Sequence, residues 1–281
     1  MTDTPFFEFG NVEPHAPLLK RPANTQKLFK IMRVADFLRS VREHYLHFQR
    51  VDSYKDFATA DAHDGAQPAR DRTVSTGITF EKAPTYSVAE YYDTCRARTY
   101  ACSFSLQNTP LIWETYGFGD LVGKVGVVFN FGKLQETLNN TIGNEPGRSA
   151  LMVGSIRCKQ VFYINYGLVE YVDIAEVQVN KDRLVNPIVY SHLKDRALFA
   201  GENEFRITLA TLGIGRLALA DGSEIVFPPS MRLDFDFRAA VGNGTIARIL
   251  VENEQVKSHL DKEFETLRKL IVSPGGKTAL G

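Results

Sequence analysis

The chain has 281 residues, 44% of them hydrophobic, with 33 Lys+Arg against 33 Asp+Glu and a formal net charge of zero. A chain of this length buries roughly three quarters of its unfolded surface and needs no disulfides to stay folded, and its composition excludes bulk disorder. Zero net charge argues against a protein that holds nucleic acid by counterion release alone. The three cysteines, Cys95, Cys102 and Cys158, form no CxxC pair. A disulfide scaffold or zinc ribbon is therefore not expected, and the default setting is reduced and cytoplasmic. The N-terminus lacks the basic and apolar regions of a signal peptide, and no stretch approaches the roughly 20 apolar residues of a membrane span.

In chain order, residues 1–24 hold Pro5, Pro14, Pro17 and Pro22 and read as an extended arm. Lys27–Ile31 suits a strand, and Val34, Phe37, Leu38 and Val41 set a helical spacing over 34–43. Tyr45–Gln49 follows as a strand. Positions 52–79 are polar with little periodicity and read as a long loop, functional or mobile. Ser87–Arg98 is predicted helical, with Ser87 and Glu90 forming a capping box. Tyr100–Ser105 is a strand and Pro110–Tyr116 a short helix with proline in its first turn. Gly123–Phe131 is a buried strand, followed by strands at 160–166 and 169–179 and a helix over Asn186–Phe199.

Glu202–Thr211 and Arg232–Ala240 read as strands. Ile246, Ile249, Leu250, Val256, Leu260, Phe264, Leu267 and Ile271 recur at three- to four-residue steps, which predicts a long C-terminal helix. The tail, 273–281, is expected to be frayed. The sum is α+β: one domain over 25–272, with mixed or antiparallel sheets flanked by helices.

Several motifs fail. Gly123-Lys124 looks like the end of a phosphate loop, but Phe118 stands where that loop needs glycine and Val125 replaces the magnesium-holding hydroxyl. Gly117 and Gly119 lack a third glycine at Val122, so the dinucleotide fingerprint fails as well. His44 and His47 have no third ligand in sequence range and read as ordinary histidines. Asp56, Asp61, His63 and Asp64 read as a solvated acidic loop rather than a hard-cation site. No nucleophile elbow is present, and no metal site is expected.

Two patterns survive. On a strand, Ser103 and Ser105 share a face opposite Phe104, while Trp113 and Tyr116 share a face of the short helix that follows. Hydroxyls beside an aromatic face make a wall for a flat ligand, although Phe104, Trp113 and Tyr116 also suit a plain core. The second pattern is Lys194 with Glu202, Glu204 and Arg206. In an extended strand these last three project to one side, Arg206 orients Glu204, and Lys194 approaches the pair. Paired carboxylates suit general acid–base work or stabilisation of a cationic transition state. The alternative is a structural ion-pair ladder.

At these residues the chain resembles the bacterial and phage domain-of-unknown-function 2971 family, from about Lys27 to Ile271. The resemblance lies in Leu28-Phe-Lys30, Leu46-His-Phe48, Ser103-Phe-Ser105 with Trp113 and Tyr116, Gly126-Val-Val-Phe129, and Lys194 with Glu202, Glu204 and Arg206. Lys55 and Ala58 depart from its pattern. The layout is also similar to arginine–serine–glutamate ADP-ribosyltransferases, with Lys30 in place of their arginine. That second resemblance implies NAD as co-substrate. Lys30 or Arg33 would hold phosphate, Ser103 or Ser105 would line the ribose site, and Trp113 or Tyr116 would stack on nicotinamide. Lys194 would complete the binding set, Glu204 would be catalytic and Glu202 would orient the acceptor, protein or nucleic acid. The distribution of the family implies a toxin or phage-defence effector. Two other readings stand beside it: a nucleic-acid-processing enzyme using Lys194, Glu202, Glu204 and Arg206, and a non-catalytic binding module using Trp113 and the 52–79 loop.

Overall fold

The computed structural model describes residues 12–14, 17–56, 61, 63–117, 122–140, 150–180, 184–211, 215–263 and 271–272. The predicted tail and most of the predicted N-terminal arm lie outside these. The described part of the arm is not wholly irregular, because strand β1 (Val12–Pro14) joins the main sheet.

The first half follows the sequence pattern closely. Strand β2 (Lys27–Arg33) leads into helix α1 (Val34–Arg42), which buries Val34, Phe37, Leu38 and Val41. His44, at φ 54°, turns the chain into β3 (Tyr45–Arg50). The stretch expected as a loop is instead partly helical: a 3-10 turn covers Val51–Asp56 and α2 covers Ala69–Thr76. Asp71 ties α2 down, accepting from the backbone N–H groups of Val179 and Asn180 and from the Tyr190 hydroxyl at 3.0–3.1 Å. Long-range anchoring of this kind leaves no periodicity to read.

A hairpin of β4 (Thr79–Phe80) and β5 (Ala83–Ser87) precedes α3 (Val88–Arg96). The predicted capping box is present: Glu90 N–H donates to Ser87 Oγ at 3.2 Å and Ser87 N–H to Glu90 Oε2 at 2.7 Å. Then come β6 (Thr99–Ser105), α4 (Pro110–Thr115), β7 (Lys124–Asn130) and α5 (Phe131–Asn140). Short strands β8 (Leu151–Val153) and β9 (Ile156–Arg157) are followed by β10 (Phe162–Leu168) and β11 (Glu170–Val172).

The second half departs from expectation. The helix predicted over Asn186–Phe199 is a 3-10 turn (Pro187–His192), strand β12 (Leu193–Asp195) and a single-turn α6 (Arg196–Phe199). Side-chain caps from Asn186 and Asp195 start the two turns and divide the segment. Strand β13 (Glu204–Ala210) follows, then β14 (Leu217–Ala218), β15 (Glu224–Ile225) and β16 (Ser230–Asp234). The predicted strand ends at Asp234 because Asp236 caps α7 (Phe237–Gly242).

The long C-terminal helix is also corrected. Ile246–Val251 form β17, α8 covers Glu254–Glu263, and Ile271–Val272 form β18. A register shift between Ile246 and Arg248 buries Ile246, Ile249 and Val251 together, so a bulged strand displays helical spacing.

Among the described residues the main sheet has twelve strands, running β18-β17-β7-β2-β6-β3-β16-β8-β9, with β13, β10 and β1 branching from β6. The branch positions the site. One edge of β6 pairs with β13 along its whole length, from Thr99 opposite Ala210 to Ser105 opposite Glu204. Its other edge is shared: β2 meets it at Ser105 and β3 meets it at Tyr100 and Ala101. Between those contacts, at Cys102–Phe104, the two neighbouring strands diverge. Behind this fork lies the main core, where Phe104, Phe129, Phe131, Phe205, Phe235 and Phe237 form a run of edge-on and tilted aromatic contacts. A smaller cluster of Val88, Tyr92, Tyr190 and Leu193 packs under the α2–α3 region.

Candidate ligand cleft

A cavity of about 490 Å³ opens where β2 and β3 part from β6, within the size range of small-molecule sites. Its walls carry Lys30, Arg33, Ser103, Ser105 and Tyr116, and its floor carries Asp64, Lys194, Glu202, Glu204 and Arg206. Nine of the ten residues singled out in the sequence therefore converge on one space; the exception is Trp113.

The convergence follows from register. Ser103 lies opposite Arg206 and Ser105 opposite Glu204, so the four share a face, while Phe104 and Phe205 pack together on the other with ring centroids 6.1 Å apart. Glu202 reaches the same place by another route. It is not on the strand but in a 3-10 turn over Ala200–Glu202, and Asn203 at φ 46°, ψ 54° reverses the chain into β13. This turn sets both glutamates against one ammonium: Lys194 Nζ lies 2.6 Å from Glu202 Oε2 and 2.9 Å from Glu204 Oε2.

Arg206, 1% exposed, completes the floor. Its Nε donates to Glu204 Oε1 at 2.7 Å and Nη2 to Glu204 Oε2 at 3.1 Å, while Nη1 and Nη2 donate to the Asp64 carboxylate at 2.5 and 2.7 Å. Burial alone would raise the pKa of Glu204, but the Arg206 and Lys194 cations outweigh it and hold the carboxyl well below its usual range. Burial opposes the charged form of Lys194 too, and the glutamates more than compensate, raising its pKa. For Asp64 the balance is reversed: burial exceeds the pull of Arg206 and pushes the carboxyl up. The floor thus sets three carboxylates against two cations, with Glu204 kept anionic.

The walls are less committed. Lys30 lies over the Phe104 ring at 5.1 Å and donates to the Ser103 carbonyl at 3.1 Å, with no carboxylate partner among the described residues. Arg33, at the rim, is paired with Asp36 at 2.6 Å. Ser103 is within hydrogen-bonding reach of Glu204, and Tyr116 of Glu202. Ser105 is spent on the backbone: its Oγ lies 2.8 Å from the Glu202 carbonyl and 2.9 Å from that of Gln107, pinning the 3-10 turn to β6.

Trp113 is a correction. Tyr116 leaves α4 with extended backbone angles (φ −107°, ψ 157°), so the two rings do not share a face. Tyr116 enters the cleft, whereas Trp113 packs on Gly126 of β7, donates to Asn108 Oδ1 at 2.8 Å and lines a separate open concavity beside Lys124 and Glu252. Asp64 is the floor residue that sequence reasoning missed. The sequence reads it as part of a solvated acidic loop, yet it is 2% exposed. The available signal was the Asp64-Gly65 dipeptide, a turn marker, and Gly65 does adopt φ 71° with its missing Cβ 2.8 Å from Val51. His44 and His47 stay apart, against Asp236 and Gln49 respectively. Among the described residues no group of three or more His, Cys, Asp or Glu side chains is arranged to hold a metal ion, and no helix is long and apolar enough to cross a membrane.

Comparison with family models, curated proteins and solved structures gives no match to this chain, so the two resemblances rest on the residues quoted for them.

Proposed function

We propose that the cleft binds NAD and breaks its nicotinamide–ribose bond, transferring the ADP-ribosyl group to an acceptor or to water. The observation that carries this reading is the layout of the cleft: Lys30, an ammonium with no carboxylate partner among the described residues, on one wall, and Glu202 and Glu204, held by Lys194 and Arg206, on the floor. A substrate with a pyrophosphate at one end and a cationic glycoside at the other matches that layout. As the C1–N bond breaks, nicotinamide leaves neutral with the bonding pair, and positive charge develops on the ribosyl ring. Glu204, already anionic and rigidly held, faces that charge without reorganisation. The acceptor adds to C1 and releases its proton toward Glu202, which Tyr116 and Lys194 orient. Lys30 is the phosphate contact, with Arg33 at the rim, and Tyr116 is the aromatic side chain left to flank the nicotinamide. Lys194 acts on the glutamates rather than on the ligand.

The test is nicotinamide release from NAD by purified protein, with and without a protein lysate or nucleic acid as acceptor. Glu204→Gln keeps the side-chain shape and removes the charge. It is expected to lower turnover by about 10²–10³-fold, with an unchanged far-UV circular dichroism spectrum. Wild-type turnover in the variant would sink the proposal.

A further inference from the structure

Arg206 has five N–H donors and every one is used. Nε and one Nη2 hydrogen go to Glu204, one hydrogen each of Nη1 and Nη2 to Asp64, and the remaining Nη1 hydrogen to the Ser191 carbonyl at 2.7 Å. The guanidinium is planar, so a carboxylate docked bidentately on one edge fixes what its other edge presents. Glu204 takes the Nε–Nη2 edge and Asp64 the adjoining Nη1–Nη2 edge.

Asp64 is itself held hard. Its N–H donates to the Asp61 carbonyl at 3.1 Å, Arg96 Nε donates to its carbonyl at 2.6 Å, and Ala66 N–H closes the turn on His63 at 2.8 Å. A Cβ on Gly65 would lie 2.8 Å from Val51 Cγ2, so adding one shifts the turn. A residue 142 positions before Arg206 is thus delivered rigidly to the far side of the catalytic pair. It touches neither Lys194 nor either glutamate through a hydrogen bond among those described.

We infer that Asp64 is the positioning residue of the cleft: by clamping the outer edge of Arg206 it holds the Glu204 carboxylate in one orientation toward the bound ligand. The kinetic part of this inference rests on the ribosyl-transfer reading; the structural part does not. Asn at position 64 can accept only one of the two bonds, because its amide N–H would face a guanidinium N–H. The guanidinium then gains a second orientation, and Glu204 moves with it.

Two variants and two readouts decide the matter. Asp64→Asn removes one bond of the clamp. Gly65→Ala keeps the carboxylate but shifts the turn that carries it, and covers the case in which the first variant does not fold. The first readout is the Arg206 Nε–H signal in a ¹⁵N-correlated spectrum of the full chain. A single slowly exchanging resonance is expected in the wild type, with exchange accelerated at least about tenfold in either variant; an unchanged resonance overturns the inference. The second is the steady-state rate of nicotinamide release from NAD. Turnover number should fall roughly 100-fold in Asp64→Asn and about tenfold in Gly65→Ala, with KM within about twofold, since misplacement by an ångström costs that order. A fall in turnover number no larger than the loss of folded protein, measured by circular dichroism on the same samples, makes Asp64 merely structural and overturns the inference. A wild type that never releases nicotinamide removes the ribosyl-transfer reading, and the Arg206 resonance then decides the clamp alone.

Discussion

His192 is the buried group whose titration the fold feels most simply. It is 2% exposed, its Nδ1 lies 3.1 Å from the Ile188 carbonyl, and its Nε2 meets no side-chain or backbone hydrogen-bond partner among the described residues. The ring is wedged against β10, where a Cβ on Gly167 would lie 2.7 Å from His192 Cδ2. Burial lowers its pKa to about 4, so between its ordinary value near 6.5 and about 4 the unfolded chain takes up a proton that the folded chain refuses. The stabilisation is complete above the unfolded value and is lost as pH falls through that window: about 2 kcal/mol by pH 5 and about 3 kcal/mol by pH 4. Urea unfolding of the wild type and of His192→Gln across pH 7 to 4 isolates this contribution as the difference between the two curves. Parallel curves would show that His192 titrates normally. At this scale the sequence spoke unevenly. Ser103 with Ser105, and Glu204 with Arg206, could each be placed on one face of a strand from alternation alone. His192 and Asp64 could not, because each owes its role to a distant element rather than to its neighbours in the chain.

Elements were readable where capping, spacing and burial agreed. α1 has its apolar stripe and α3 its Ser87–Glu90 box, and both run within two residues of expectation. They were unreadable where one pattern imitated another. The bulge in β17 made a strand look helical; α8 beyond it continues the three-to-four spacing among the described residues, and Phe264 and Leu267 lie outside them. The boundary between the two is set by Asn253, whose side chain accepts from Val256 N–H at 2.9 Å, a cap placed immediately before Glu254. Asn253→Ala removes that acceptor and leaves the strand untouched. A loss of about 1 kcal/mol is expected in chemical denaturation, with hydrogen exchange accelerating in 254–257 and unchanged in β17. Equal acceleration in both elements would mean that strand and helix open as one unit, against the independent boundary drawn here.

Across the whole molecule, the α+β class and the mixture of strands and helices were legible in composition and spacing. The forked sheet was not, because a strand's residues do not record which neighbours share its second edge. That fork decides what the zero net charge means. Thirty-three cations balance thirty-three anions over the chain, and the cleft distributes its charges unevenly: Glu202, Glu204 and Asp64 are paired with Lys194 and Arg206 on the floor, while Lys30 on the wall has no carboxylate partner among the described residues. A protein with no net charge gives a polyanion little long-range attraction, so an anionic group is held by local contact. On the ribosyl-transfer reading, Lys30 would make that contact as one charge-assisted bond in a partly buried site, an interaction of roughly 1.5–3 kcal/mol. Lys30→Ala should therefore raise the NAD dissociation constant about tenfold or more. It leaves thermal stability nearly unchanged, since among the described residues the partners it deprives are the Ser103 carbonyl, the Phe104 ring and the buried Cys102 thiol. Calorimetric titration at 50 and 300 mM salt checks both its size and its origin. The wild-type affinity should weaken with salt more steeply than that of the variant, because one phosphate–cation contact has been removed. Equal affinities for the two proteins, or equal salt slopes, would place the phosphate somewhere other than the fork.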